Sequence, residues 1–150
     1  MKKLMLAQWT KELERQVTRV KPGIAGAVKE IGTAATEIAR EKIGHYQAET
    51  GPFPSWPALA DSTIAEKTRL GYAPPDNPLL RSGELRDTIS FYTDGFSVIV
   101  GSRDPVARWQ ELGTDRIPPR PLIGPAMFDV IPLARQALGK ALTAVMRGEA

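Results

Sequence analysis

Apolar residues recur every three or four positions through the first third of the chain, and this spacing predicts helix. The pattern runs to about Tyr46 and is interrupted once, at Pro22-Gly23. Because an internal proline lacks an amide donor and clashes with the preceding turn, we expect a break or a sharp kink there. Two N-terminal helices, or one broken helix, should therefore cover residues 4–48. The stripe before the break consists of Leu6, Trp9, Leu13, Val17, Val20 and Ile24.

Residues 51–80 differ in character, because prolines interrupt each short apolar run. We expect a loop-rich insertion with one short helix, at about residues 63–70. Thr63 and Glu66 have the spacing of a capping box at its start, and Gly71 suits the left-handed position after its end.

Two runs that alternate apolar and polar residues follow, and Asp94-Gly95 separates them. This pair of residues is typical of a two-residue turn, so the sequence predicts an antiparallel hairpin over about 88–101. Residues 81–86 just before it are either one helical turn capped by Ser82 or the start of the first strand. On the second strand we expect one shared face for Phe96, Val98 and Val100.

The last third predicts a short helix, an extended segment and a longer helix. Asp104 before Pro105 is a helix start, and Gly113 ends that helix. Three prolines then confine residues 116–122 to an edge strand or a polyproline-like segment. Pro132 lies inside the C-terminal helical pattern, so that helix should start late or be kinked.

Together these elements predict a single α+β domain in which helices pack on a small antiparallel sheet. The sheet would consist of the hairpin at about 88–101 and a proline-rich strand at about 116–122. We divide the domain into N-terminal helices (4–48), the loop-rich insertion (51–80), and a sheet core with the C-terminal helix (81–148).

Composition narrows the range of functions. The chain has 150 residues, 42% of them hydrophobic and 25% charged, which is the composition of a globular domain. A net charge of +3 permits contact with nucleic acid without arguing for it. The absence of cysteine excludes disulfides and thiolate chemistry, and the single histidine, His45, argues against a histidine metal cage. We expect no cofactor, no metal and no membrane span, since no apolar run approaches about 20 residues.

No enzyme motif occurs in the sequence, whether a phosphate-binding glycine loop, a nucleophile elbow or a zinc-binding histidine pair. We interpret Glu111 as a helix-surface or capping carboxylate. Arg116 and Arg120 could contact phosphate or pair with acidic groups. Trp56 and Trp109 could fill the core or anchor an interface. A small nucleic-acid-binding module and a metal-free enzyme therefore stay open beside a structural adaptor.

Four segments resemble phage virion-morphogenesis proteins. Residues 79–89 (LLRSGELRDTI) are similar to the leucine–glycine–leucine–arginine segment of that family, and residues 107–114 (ARWQELGT) to its glutamate–glycine–threonine signature. Residues 117–126 (IPPRPLIGPA) resemble its proline–arginine–proline segment. Trp56, with the residues around it, resembles the branch that has a longer central insertion. The resemblance covers about residues 53–127.

The resemblance implies a structural protein of the neck of long-tailed phages that completes the tail and joins it to the DNA-filled head. It implies a homo-oligomeric ring, six- or twelve-fold, between the head-closure or connector proteins and the tail terminator or tail tube. DNA would contact the ring lumen without sequence specificity. The expected location is the virion neck, after assembly in the bacterial cytoplasm, and no catalytic residue is implied.

A ring subunit needs surfaces for its neighbours, and we assign them to the rigid, proline-rich segments and the motifs beside them. The hairpin could also extend its sheet across a subunit boundary, because a two-stranded hairpin has free edges. The candidate interface residues are Trp56, Leu85, Trp109, Glu111, Arg116, Pro119, Arg120 and Leu122.

Overall fold

The computed structural model describes residues 2–147, and helices dominate it. Its elements are α1 (Lys2–Lys42), α2 (Asp61–Arg69), α3 (Glu84–Thr88), β1 (Ser90–Thr93), β2 (Val98–Gly101), α4 (Pro105–Leu112), α5 (Ile123–Asp129) and α6 (Ile131–Met146). The two strands form an antiparallel sheet, so the predicted α+β class is confirmed. Residue 148, where we expected the last helix to end, lies outside the described residues.

α1 is one continuous helix of 41 residues, so the predicted break at Pro22 is wrong. A proline in a helix interior costs about 3 kcal/mol. The helix continues because the apolar face keeps its phase across the proline, from Val20 and Ile24 to the buried Ala27 and Ile31. Packing of the C-terminal half of α1 against α5, α6 and both strands offsets the local cost.

The N-terminal half of α1 projects from the body of the protein. A helix of 41 residues is about 60 Å long, whereas a compact chain of 150 residues has a radius of gyration of about 15 Å. Residues 5–19 are accordingly all exposed, and we call residues 2–19 the arm. Its apolar stripe is uncovered in the described part of the chain, with Leu6 68% and Trp9 65% exposed.

The core lies along one face of the C-terminal half of α1 and has two parts. The first brings α1 together with the loops and α5, through Ala39, Ile43, Trp56, Ile89, Leu122 and Ala126. The second joins α1 to α6, through Ala27, Ile31, Ala35, Val130 and Ala137. Three of these five residues are alanines, so small side chains line the face on which α6 packs against α1.

The hairpin packs one face of its two strands on α1. Phe91 pairs with Val100 and Thr93 with Val98, which confirms the antiparallel hairpin. Val98 and Val100 pack against the second part of the core, as their shared face predicted. The ring of Phe91 occupies the space beside Gly32 of α1, where no side chain intervenes.

The turn of the hairpin has four residues, 94–97, rather than the predicted two. Asp94 closes it, because its Oδ1 accepts hydrogen bonds from the amides of Phe96 (2.8 Å) and Ser97 (2.7 Å). This places Phe96 at the tip and 62% exposed, so the prediction that it shares the inner face with the two valines is wrong.

Residues 116–122 form no strand, and the described sheet contains only β1 and β2. The prolines at 118, 119 and 121 have no amide to donate, so a regular ladder cannot form along this segment. It is an extended connection between α4 and α5. We call residues 117–122 the strap.

Two helices, α4 and α6, begin as the sequence predicts. α4 begins as predicted, with Asp104 Oδ1 accepting from the amide of Val106 at 2.8 Å. α6 begins at Ile131 with Pro132 in its first turn, which confirms the late start.

The structure also tests the capping box predicted for α2 and the two alternatives for residues 81–86. The capping box predicted for α2 does not form, since its N-cap is Ala60 and no side chain caps it. α3 is a single short helix, and Ser82 Oγ accepts from the amide of Glu84 at 3.4 Å, so residues 81–86 lead into a helical turn rather than directly into β1.

Two glycines of α1 provide a matched test of the packing. A Cβ at Gly32 would lie 2.5 Å from Phe91 Cδ2 and 2.8 Å from Val98 Cγ2, whereas a Cβ at Gly26 would meet nothing within 4 Å. We expect Gly32→Ala to lower the free energy of unfolding by about 1–3 kcal/mol through overpacking. Gly26→Ala should raise it by up to about 1 kcal/mol through helix propensity. Urea denaturation followed by circular dichroism measures both, and equal effects would contradict the packing described here.

Candidate interaction surfaces

The strap and the proline-rich loop before α2 are joined by a side chain from each of them. The Trp56 indole Nε1 donates to the carbonyl of Pro121 at 3.0 Å. The Arg120 guanidinium points the other way and donates to the carbonyls of Pro57, at 3.1 and 3.3 Å, and Ala58, at 3.0 Å. The strap and the proline-rich loop before α2 therefore hold each other in place.

Glu111 of α4 fastens the end of the strap. Its carboxylate accepts hydrogen bonds from three consecutive amides, Leu122 (2.6 Å), Ile123 (2.9 Å) and Gly124 (2.8 Å). These amides belong to the N-terminus of α5 and have no partner within that helix. The interpretation of Glu111 as a capping carboxylate is confirmed, although the helix it caps is α5 and not its own.

This arrangement corrects part of the predicted interface. Trp56, Arg120 and Leu122 are only 6%, 5% and 3% exposed, so they are covered by their own chain. Trp56 is covered where its indole donates to the strap, and Arg120 where its guanidinium donates to the loop before α2. Leu122 is covered by the first part of the core. The prediction that the three residues contact a neighbouring subunit is wrong for the chain as folded.

The other predicted residues differ in exposure. Trp109 on α4 is 47% exposed, beside Leu112 at 68%. Arg116 and Pro119 are exposed at the surface of the loop between α4 and α5. Leu85 is half-buried and packs against the first part of the core. Trp109, Arg116 and Pro119 therefore remain accessible to a partner.

A cavity of about 490 Å³ lies between the strap, α2 and the segment before α3. Its size is within the usual range of binding clefts. The apolar part of its wall includes four leucines, Leu59, Leu79, Leu80 and Leu85. Its charged lining residues are Lys67, Arg81, Glu84, Asp104, Arg116 and Arg120, four cations against two carboxylates.

The buried cations of the cavity are fixed by the main chain. Lys67 is 2% exposed and donates to the carbonyl of Asn77 at 2.6 Å. Burial lowers the pKa of Lys67, and the charge of Arg81 lowers it further. Gln110 also lines the cavity, and its Oε1 is buried without a hydrogen-bond partner in the part of the chain described. The lining of the cavity thus has an excess of positive charge. Among its cations, Arg116 is exposed, and Arg81 is paired with Glu66 at 2.9 Å.

The hairpin presents apolar side chains to solvent on its outer face and at its tip. Tyr92 and Ile99 are directly opposite each other on the outer face, 69% and 67% exposed. Asp94 is the one charged residue between Ser90 and Gly101. The amides of Phe96 and Ser97 lower the pKa of its carboxyl group, which keeps the tip negatively charged.

Sequence reasoning missed three features: the arm, the cavity and the exposed tip. The arm was visible only as a helical stripe, since periodicity does not reveal which part of a stripe is covered. The cavity combines segments far apart in sequence. One feature of the sequence could have predicted the exposed tip. This feature is Asp94, because an aspartate can close a longer turn through its own side chain.

A scan against protein-family models gave no match, and searches of curated proteins and of solved structures gave no significant match. Within residues 2–147, no group of three or more histidine, aspartate or glutamate side chains is placed to hold a metal ion. None of the helices described in that range is long and apolar enough to cross a membrane.

A substitution of Glu111 tests whether its carboxylate holds the end of the strap. We expect Glu111→Gln to lower the free energy of unfolding by about 1.5–3 kcal/mol, because charge-assisted bonds to three amides are weakened. Glu37→Gln, at an exposed position of α1, should change it by less than about 0.5 kcal/mol. Urea denaturation compares the two variants, and a Glu111→Gln protein as stable as the control would show that the carboxylate does not hold the strap.

Proposed function

We propose that this chain is a structural subunit of the neck of a long-tailed phage, a tail-completion protein that joins the filled head to the tail as part of a ring. The proposal assigns it no catalytic residue and no cofactor. Its partners are copies of itself, the head-closure or connector proteins on one side, and the tail terminator or tail tube on the other.

The observation that carries the proposal is the convergence of the family-like segments in space. Trp56, Glu111 and Arg120 come from three separate motifs, and all three fasten the strap. The motif resemblance is therefore supported by a common structural task for the residues that make it up.

The distribution of exposed apolar groups also supports an adaptor role. The arm, the hairpin and the Trp109 region of α4 are separate surfaces, and each exposes large apolar side chains. Exposed apolar patches are typical of sites that contact other proteins. A neck subunit needs several such surfaces, because it contacts two neighbours in its ring and a different protein on each side.

Nucleic-acid binding is the second candidate, and the arm is the observation that favours it. Residues 2–21 contain six lysines or arginines and two glutamates. A basic helix with an exposed tryptophan can contact phosphates and stack on bases. The same arm could touch DNA inside a ring, so this candidate is distinguished by tight oligonucleotide binding that weakens steeply as salt rises.

The first experiment deletes this gene from the parent phage or prophage and examines the lysate by negative-stain electron microscopy. We expect DNA-filled heads beside separate tails of normal length. Normal infectious particles would contradict a joining role and would favour nucleic-acid binding, the second candidate function.

Two tryptophans refine this experiment by complementation of the deletion. Trp109→Ser should fail to restore joined particles while the purified variant keeps its melting temperature, because the side chain is half-exposed. Trp56→Ser should instead lose about 3–5 kcal/mol of stability, because its side chain is buried. Restoration of joined particles by Trp109→Ser would remove α4 from the proposed contacts.

A further inference from the structure

We infer that the hairpin tip of one copy, residues 94–96, seats in the cavity beside the strap of the next copy, and that this contact joins the subunits of the ring. The inference rests on the proposed function and identifies the surfaces that neighbouring subunits use.

The tip and the cavity are complementary in charge, and both carry apolar groups. The tip has one negative charge, on Asp94, beside the exposed ring of Phe96. The cavity has an excess of positive charge and walls that include Leu85 and Ile117. An aromatic side chain that fills a pocket on its partner is one of the groups that carry most of the binding energy of an interface.

The two surfaces lie far apart on one molecule. The tip lies against α1 near Ala25, because a Cβ at Gly95 would be 3.4 Å from the Cβ of that alanine. The cavity lies beyond the other end of α1, where its lining residue Leu80 approaches Gly44. About 25 Å of helix separates Ala25 from Lys42. The tip therefore cannot reach the cavity of its own chain.

A contact between two different patches is heterologous, and it closes into a ring when successive rotations return to the first copy. The arm is the other large apolar feature, but its excess of lysine and arginine would be repelled by the cavity. The tip contains no cation, so it is the occupant of this chain that the charges favour. A free phosphate or a nucleic-acid phosphate would be a competing occupant, and the test below separates it.

The test uses two variants of the full chain that are each defective on one side. Phe96→Ser removes the aromatic group from the tip, and Arg116→Glu reverses an exposed charge at the cavity. Each variant alone should associate roughly tenfold or more weakly than the wild type, since hot-spot side chains carry most of the binding energy. Mixed in equal amounts, they should form a one-to-one heterodimer that grows no further, because one intact tip meets one intact cavity. Sedimentation velocity measures all four samples.

Matched controls keep this result specific. Tyr92→Ser changes an exposed aromatic residue on the same hairpin away from the tip, and Arg103→Glu reverses an exposed arginine outside the cavity lining. Both should associate like the wild type. Association lost in Tyr92→Ser but kept in Phe96→Ser would overturn the proposal in favour of pairing through the outer face of the sheet.

The absence of cysteine allows a second, more sensitive measurement. Phe96→Cys mixed with Ser82→Cys, which lines the cavity, should give a disulfide-linked heterodimer under mild oxidation. Tyr92→Cys mixed with Ser82→Cys should not. A wild-type chain that stays monomeric at its highest soluble concentration, together with no trapped heterodimer, would overturn the proposal. Phosphate or oligonucleotide binding that Arg116→Glu abolishes, without any self-association, would overturn it in favour of an anion site.

Complementation of the gene deletion separates this inference from the proposed function. If the deletion leaves heads and tails unjoined but Phe96→Ser restores joined particles, the function stands and the contact is wrong. If the variants associate in solution as expected but the deleted phage assembles normally, the contact stands and the neck function is wrong.

Discussion

The structure depends on how one stretch of main chain satisfies its hydrogen bonds without a strand beside it. The strap contains three prolines and crosses the body between α4 and α5. Its carbonyl at Pro121 is buried and the amides that follow it are partly buried, and a buried main-chain group without a partner is costly. Trp56 and Glu111 supply those partners. Arg120 of the strap in turn donates a hydrogen bond to the carbonyl of Ala58, in the loop before α2.

This constraint explains why residue types that favour interfaces lie inside. Tryptophan and arginine carry much of the energy of many protein contacts, because they combine apolar area with directed donors. The same combination suits a fold with a two-stranded sheet and long irregular segments, in which side chains must replace ladder bonds. Arg120 is thus a structural element of the body, whereas Trp109 and Arg116 stay accessible at the surface.

The exposed arm, the hairpin tip and the cavity are arranged around α1. Its C-terminal half supports the core, and its N-terminal half leaves the body as the arm. The hairpin tip and the cavity lie toward opposite ends of the half that is packed. In the proposed contact, the helix that separates these two surfaces would set the spacing between neighbouring subunits. The proposed neck function and the proposed contact both use this geometry.

Local signals in the sequence determined the α+β class, the hairpin, and the starts of α4 and α6, because each rests on contacts within a few residues. Asp104 caps the helix that follows it, and Pro132 marks the start of α6. The tertiary structure alone decided three other points: that α1 runs through Pro22, that the strap pairs with side chains instead of strands, and which half of the helical stripe is covered. In each case contacts distant in sequence outweigh a local preference of a few kcal/mol, and no short window of the chain contains them.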